Sequence, residues 1–212
     1  MRTFTIGSNE AGQRFDKYLH KLLPEAGNSF LYKMLRKKNI TLNNSKAEGR
    51  EMLNPGDTVK LFLAEETFLK FAGGDKASAS ASALSNAATA SSGESFISEY
   101  QEAYQTLNSR KNKPVVLWED ADILIADKPA GTLTQKAAPG DLSMNEWLIG
   151  YLLETGAITA TQLITFHPSV CNRLDRNTSG LVLCGKSLAG SQLLSELIRE
   201  RSIGKFYRTI VR

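Results

Sequence analysis

Residues 171–187 read Cys-Asn-Arg-Leu-Asp-Arg-Asn-Thr-Ser-Gly-Leu-Val-Leu-Cys-Gly-Lys-Ser. One carboxylate, Asp175, stands between two guanidinium groups, Arg173 and Arg176, and a turn signal at residues 177–180 follows directly. Residues 181–184 form an apolar run short enough to be a buried strand. The stretch therefore predicts a charged cluster at the mouth of a strand that enters the core. Neighbouring cations favour the ionised carboxylate, whereas burial alone would neutralise it. Taken alone, Arg-Leu-Asp-Arg reads more readily as an exposed tetrapeptide with an ordinary ion pair that contributes little.

Downstream of that strand, Ser187 is placed to cap a helix whose apolar face is Leu193, Leu194, Leu197 and Ile198; Arg199 and Arg201 close it and Gly204 ends it. Residues 205–212 then begin another strand, in which Tyr207 reads as an ordinary strand aromatic. Upstream, two apolar runs at 115–118 and 123–126 flank an acidic turn and predict a hairpin, broken by Lys-Pro-Ala-Gly at 128–131. Ser143 and Glu146 have capping-box spacing ahead of Trp147, Leu148, Tyr151 and Leu152, which predicts a helix ending at Gly156. His167 precedes a proline and so sits in extended backbone, which suits a structural or exposed histidine better than a proton carrier. Phe96, Tyr100, Tyr104 and Leu107 predict a short helix before the hairpin.

At the other end of the chain, residues 2–6 alternate as a strand and residues 7–12 form a loop with Ser8 and Asn9 as helix caps. Phe15, Tyr18, Leu19 and Leu22 then recur at helical spacing up to Pro24. A second helix starts at Asn28 or Ser29, with Phe30, Leu31, Met34 and Leu35 inward and Lys33, Arg36, Lys37 and Lys38 crowding the other face and the C-terminal end. Cations there also suit the helix dipole. Short strands follow around Ile40 and Leu42 and at Val59, Leu61 and Leu63, separated by Asn-Pro-Gly-Asp at 54–57, a strong turn signal. Residues 72–95 are dominated by Ala, Ser and Gly and predict a flexible linker, with an Ala-rich helix as the alternative. Digestion is expected to begin in this stretch and to leave two folded fragments.

Composition narrows the class. The chain has 212 residues, 42% of them apolar, with 2 cysteines and 2 histidines. That is too few cysteines for a disulfide framework and too few histidines for a zinc spacing. No stretch reaches the roughly 18 apolar residues of a membrane span, and residues 1–6 lack an apolar signal region. We expect a reduced, cytoplasmic, metal-free monomer with no membrane partner. The formal charge of +4 is unevenly distributed. Residues 13–63 hold ten Lys or Arg against five Asp or Glu, and residues 171–212 hold eight against three, while residues 64–170 hold seven against thirteen. Two basic blocks flanking an acidic middle suit a reader of polyanions, although solvated faces give the same pattern.

Residues 172–186 resemble the signature of the RluA-type RNA pseudouridine synthases, His-Arg-Leu-Asp-Arg-Asp-Thr-Ser-Gly followed by an apolar strand. Arg173, Leu174, Asp175, Arg176, Thr178, Ser179 and Gly180 fall on matching positions, while Asn172 and Asn177 replace the common His and Asp. Residues 127–131 are similar to the Asn-Lys-Pro-Ala-Gly segment of the same catalytic domain. Residues 13–63 resemble the S4 RNA-binding domain, including its final Pro-Gly-Asp turn. The resemblance implies an α+β protein: a small S4-like RNA-binding domain at 1–71, the linker at 72–95, and part of a mixed, mainly antiparallel synthase domain at 96–212.

The same resemblance implies isomerisation of uridine to pseudouridine in structured RNA, ribosomal RNA rather than transfer RNA. The glycosidic bond breaks, the base turns and rejoins through carbon; nothing is oxidised, so no cofactor is expected. Asp175 takes the nucleophile's role. Arg173 fills the space the flipped base leaves, Arg176, on the other side of the carboxylate, joins it at the substrate base, and Tyr207, in a Lys-x-Tyr pattern, stacks on the base. Arg14, Lys17, Lys33, Arg36, Lys37 and Lys38 are the RNA-binding candidates. The alternative is a non-catalytic RNA-binding adaptor that keeps an incomplete synthase domain. Because the family's sheet continues further and supplies a later Arg to the carboxylate, a truncated chain that binds RNA and forms little pseudouridine is expected.

Overall fold

The computed structural model describes residues 1–72 and 93–211, which form two units, each with its own four-stranded antiparallel sheet and apolar core. The first unit runs β1 (Arg2–Thr5), α1 (Phe15–Leu22), α2 (Asn28–Arg36), β2 (Ile40–Leu42), β3 (Ser45–Lys46), β4 (Thr58–Leu61) and α3 (Glu65–Phe71). Its strand order is β1-β4-β2-β3. Asn43 and Asn44 join β2 to β3 with φ of 51° and 61°, the left-handed pair that a two-residue hairpin matched to strand twist requires. Phe15, Tyr18, Leu19 and Leu22 bury one stripe of α1, and Leu31, Met34 and Leu35 one stripe of α2, against Phe4, Ile40, Val59 and Leu61 of the sheet. Each of these side chains contributes about 1.5–3 kcal/mol by leaving water.

The second unit runs α4 (Gly93–Asn108), β5 (Val115–Glu119), β6 (Ile123–Lys128), α5 (Met144–Glu154), α6 (Gln162–Thr165), β7 (Ser169–Val170), β8 (Gly180–Gly185) and α7 (Leu188–Arg199). Strand order is β5-β6-β8-β7, so β8 is paired on both sides. Leu124 and Ala126 of β6 and Val182 and Cys184 of β8 alternate inward onto α5. Helix α5 is apolar nearly all round because α4 covers its other side. The backbones meet at Gly150, where a Cβ would lie 2.2 Å from the Tyr100 carbonyl oxygen. Ser143 caps α5 by accepting from Asn145 N, and Ser187 caps α7 by accepting from Gly190 N, so both sequence-read caps are formed.

Three expectations need correction. Ser8 and Asn9 cap no helix: α1 starts later, its N-cap is Arg14, and the 7–12 loop instead bonds to the second unit. Helix α3, absent from the sequence reading, forms because Phe68 is buried in the first core, with the Arg2 guanidinium 4.1 Å from its ring centroid. Residues 205–211 form no strand; Phe206 and Tyr207 are exposed. An extended segment becomes a strand only where its N–H and C=O groups find partners, and the two edges of β8 are already taken by β6 and β7. Of the predicted linker, Ala72 is buried in the first core and Gly93 opens α4, while residues 73–92 lie outside the described residues.

Candidate active site

The turn that carries Asp175 is held by backbone bonds on every side. Between β7 and β8 the chain runs outward, and Thr178 N donates to Asp175 O at 3.1 Å to close a turn over residues 175–178. Arg173 and Asp175 point to solvent while Leu174 between them packs on the second core, the alternation of extended backbone. Thr134 grips that middle residue twice: its hydroxyl donates to Leu174 O at 2.6 Å and accepts from Leu174 N at 3.1 Å. Asn172 continues the ladder with its side chain, donating to Leu181 O at 3.0 Å and accepting from Leu183 N at 2.7 Å. The asparagine that departs from the family signature thus fastens the loop to β8.

Under the turn lies Lys128, 0% exposed. Its ammonium donates to the carbonyl oxygens of Pro129 at 3.2 Å, Thr132 at 2.7 Å and Arg176 at 3.1 Å. Arg176 O also accepts from Gly131 N at 2.8 Å. Burial pushes the Lys128 ammonium below its ordinary pKa, and the negative charge of Asp175 works against that shift. The Asp175 carboxylate therefore faces a fixed positive charge from beneath.

The predicted residues are only partly brought together. Arg173, Asp175 and Arg176 share the turn and are all exposed, yet among the described residues neither guanidinium forms an ion pair with the carboxylate within 4.0 Å. Tyr207 is 67% exposed in a segment without regular structure. On the first unit, Lys17, Lys33, Arg36, Lys37 and Lys38 are exposed, and none of them enters an ion pair among the described residues. Arg14 differs, since its guanidinium lies 2.6 Å from Asp16. Partial burial raises the Asp16 pKa, but Arg14, the Lys17 amide and the Tyr32 hydroxyl outweigh it and hold the carboxyl below its ordinary value.

Two recesses lie elsewhere. One of about 410 Å³ is lined by α7, and one of about 300 Å³ lies at the seam of the two units. Asp175 lines neither and opens directly to solvent. Among the described residues no group of three or more His, Cys, Asp or Glu could hold a metal ion, and no helix is long and apolar enough to cross a membrane.

Residues 122–212, which carry the whole of this turn and its supports from β6 onward, match the RNA pseudouridylate synthase family. The ribosomal large subunit pseudouridine synthase C of Rickettsia bellii (strain RML369-C) is 28% identical over 197 residues, covering 93% of this chain and 54% of the relative. That of Escherichia coli (strain K12) is 25% identical over 212 residues, covering 100% of this chain and 54% of the relative. This chain is related to the RNA pseudouridine synthases. It spans about half the length of the synthases it matches. Both alignments extend across the first unit, beyond the span of the family match. Among solved structures, human RNA Pseudouridylate Synthase Domain Containing 4 matches with a TM-score of 0.35 at 17% identity, covering 49% of this chain and 34% of that one.

Sequence reasoning missed Lys128 and Thr134. The signal for Lys128 was present: Leu124, Ala126 and Lys128 alternate on the core face of β6, so the strand's own period places the lysine inward. Thr134 gave no such sign, because its partner is 40 residues away.

Proposed function

We propose that this chain isomerises uridine to pseudouridine in large-subunit ribosomal RNA, with Asp175 as the nucleophile. The observation that carries the reading is the Asp175 turn itself: an exposed carboxylate on a loop anchored by Lys128, Thr134 and Asn172, between two exposed guanidiniums. A group open to solvent suits a substrate that brings its own walls, as a folded RNA does. A carboxylate nucleophile divides the reaction into two steps. The bond between C1′ and N1 breaks, the base turns, C5 bonds to C1′, and the proton lost from C5 is balanced by one gained at N1. Arg173 would occupy the gap left by the flipped base, with Arg176 beside it and Tyr207 stacking on the base. The first unit would act as an S4-like platform whose cations Lys17, Lys33, Arg36, Lys37 and Lys38, with Arg14, contact phosphates.

The test is nucleoside analysis of large-subunit ribosomal RNA after incubation with the protein. Whatever pseudouridine the wild type forms, little or much, is expected to fall to background with Asp175→Asn. Because Asp175 is exposed, that variant should unfold within about 0.5 kcal/mol of the wild type. A second reading, an RNA-binding adaptor without turnover, draws support from the Asp175 carboxylate, which forms no ion pair among the described residues, and from the exposure of Tyr207. RNA that is bound but unchanged in nucleoside composition would establish it.

A further inference from the structure

Helix α6 belongs to the second unit by sequence but serves both cores. Leu163 is buried in the second core, and its neighbour Ile164 is 8% exposed and packed in the first. Thr165, 2% exposed, donates its hydroxyl to Oε1 of Glu10, itself 3% exposed, whose Oε2 accepts from Gly7 N at 3.0 Å. Gly7 admits the approach because a Cβ there would lie 2.4 Å from Nε2 of Gln162. Two further bonds flank this contact: Asn9 Nδ2 donates to Ala157 O at 3.3 Å, and Leu188 N at the start of α7 donates to Asn9 O at 3.0 Å. An apolar peg, a buried and satisfied polar pair, and two hydrogen bonds through Asn9 thus cross one seam. Separation would expose Ile164 and leave Glu10 and Thr165 without each other.

We propose that residues 157–166 are a docking peg that locks the first unit onto the second as one body, whether or not the chain is continuous across residues 73–92. The basic face of α2 and the Asp175 turn are then held at a fixed spacing, and an RNA must match that spacing to engage both. The docking rests on the seam alone, and only the demand on RNA spacing rests on the pseudouridine reading.

The experiment places a site-specific protease sequence within residues 73–92 of the full chain, cleaves it, and measures association of the two pieces by gel filtration and sedimentation. No RNA is needed, so the result is distinct from any outcome of the activity assay. The pieces are expected to co-migrate in the wild type and to separate in Ile164→Asp. Thr165→Val keeps the shape and removes the hydroxyl; it should weaken association about tenfold, the effect of losing one hydrogen bond to a charged group. Far-ultraviolet circular dichroism of each cleaved variant establishes that both pieces remain folded. Separation of the wild-type pieces, or unchanged association in the folded Thr165→Val protein, would overturn the proposal.

Discussion

Thr134 shows how a single hydroxyl sets the position of a carboxylate it never touches, that of the proposed nucleophile. By donating to and accepting from the two backbone groups of Leu174, it fixes the residue between Arg173 and Asp175. Thr134→Val keeps the volume and orphans both groups, so we expect a loss of about 1–3 kcal/mol in denaturant unfolding, together with reduced turnover that exceeds any loss of RNA affinity. Asn172→Asp should be comparably costly, because it replaces the donor facing Leu181 O with a second acceptor; a shift in the unfolding midpoint measures it. At this scale the proposed site, Asp175 and its flanking arginines, was nominated from a contiguous signature, and the structure places all three on one exposed turn. The sequence announced the supports poorly. Asn172 pairs with residues nine and eleven positions on, across a turn whose course is set by tertiary contacts.

Among the elements, the ones read from periodicity have long, one-sided apolar stripes: α1, α2, α5, α7, β6 and β8. Helices α3 and α6 escaped because seven and four residues are too few for a period to declare itself. Their formation depends on Phe68 and Ile164 reaching a core already built. The strand expected at 205–212 is the converse case, a convincing pattern with no neighbour among the described strands. Gly150→Ala should push α4 off α5 and cost about 1–3 kcal/mol, read from thermal unfolding. The seam carries a pH prediction. Burial raises the Glu10 pKa above its ordinary 4.5, against the lowering effect of Thr165, the Gly7 amide and Lys21. Tyr18 also faces it, and residues 157–166 contain no ionisable side chain. A carboxyl with a raised folded pKa favours the folded state when protonated, so stability should rise as pH falls from neutrality through the raised value, flatten below 4.5, and decline in the opposite direction. Glu10→Gln should abolish this component; parallel profiles of melting temperature against pH for the two proteins would refute it.

For the molecule as a whole, composition suggested a division at residues 72–95 and a net positive charge on each flank, but it gave no sign of the seam. Its residues Glu10, Ile164 and Thr165 are ordinary in local context and meet only through the fold. If the α2 face binds phosphate, replacing Arg36, Lys37 and Lys38 by Ala should flatten the dependence of log affinity on log salt by about 0.7–0.9 for each phosphate no longer neutralised. An unchanged slope would remove α2 from the interface. Lys128 offers one more use. Its ammonium is sealed by three carbonyls while Lys33 and Lys37 stand in water, so an amine-acylating reagent should mark the surface lysines within seconds and reach Lys128 only when the turn over it opens. The rate at which that one side chain is acylated is then a clock for the breathing of the Asp175 loop, readable by mass spectrometry without any substrate.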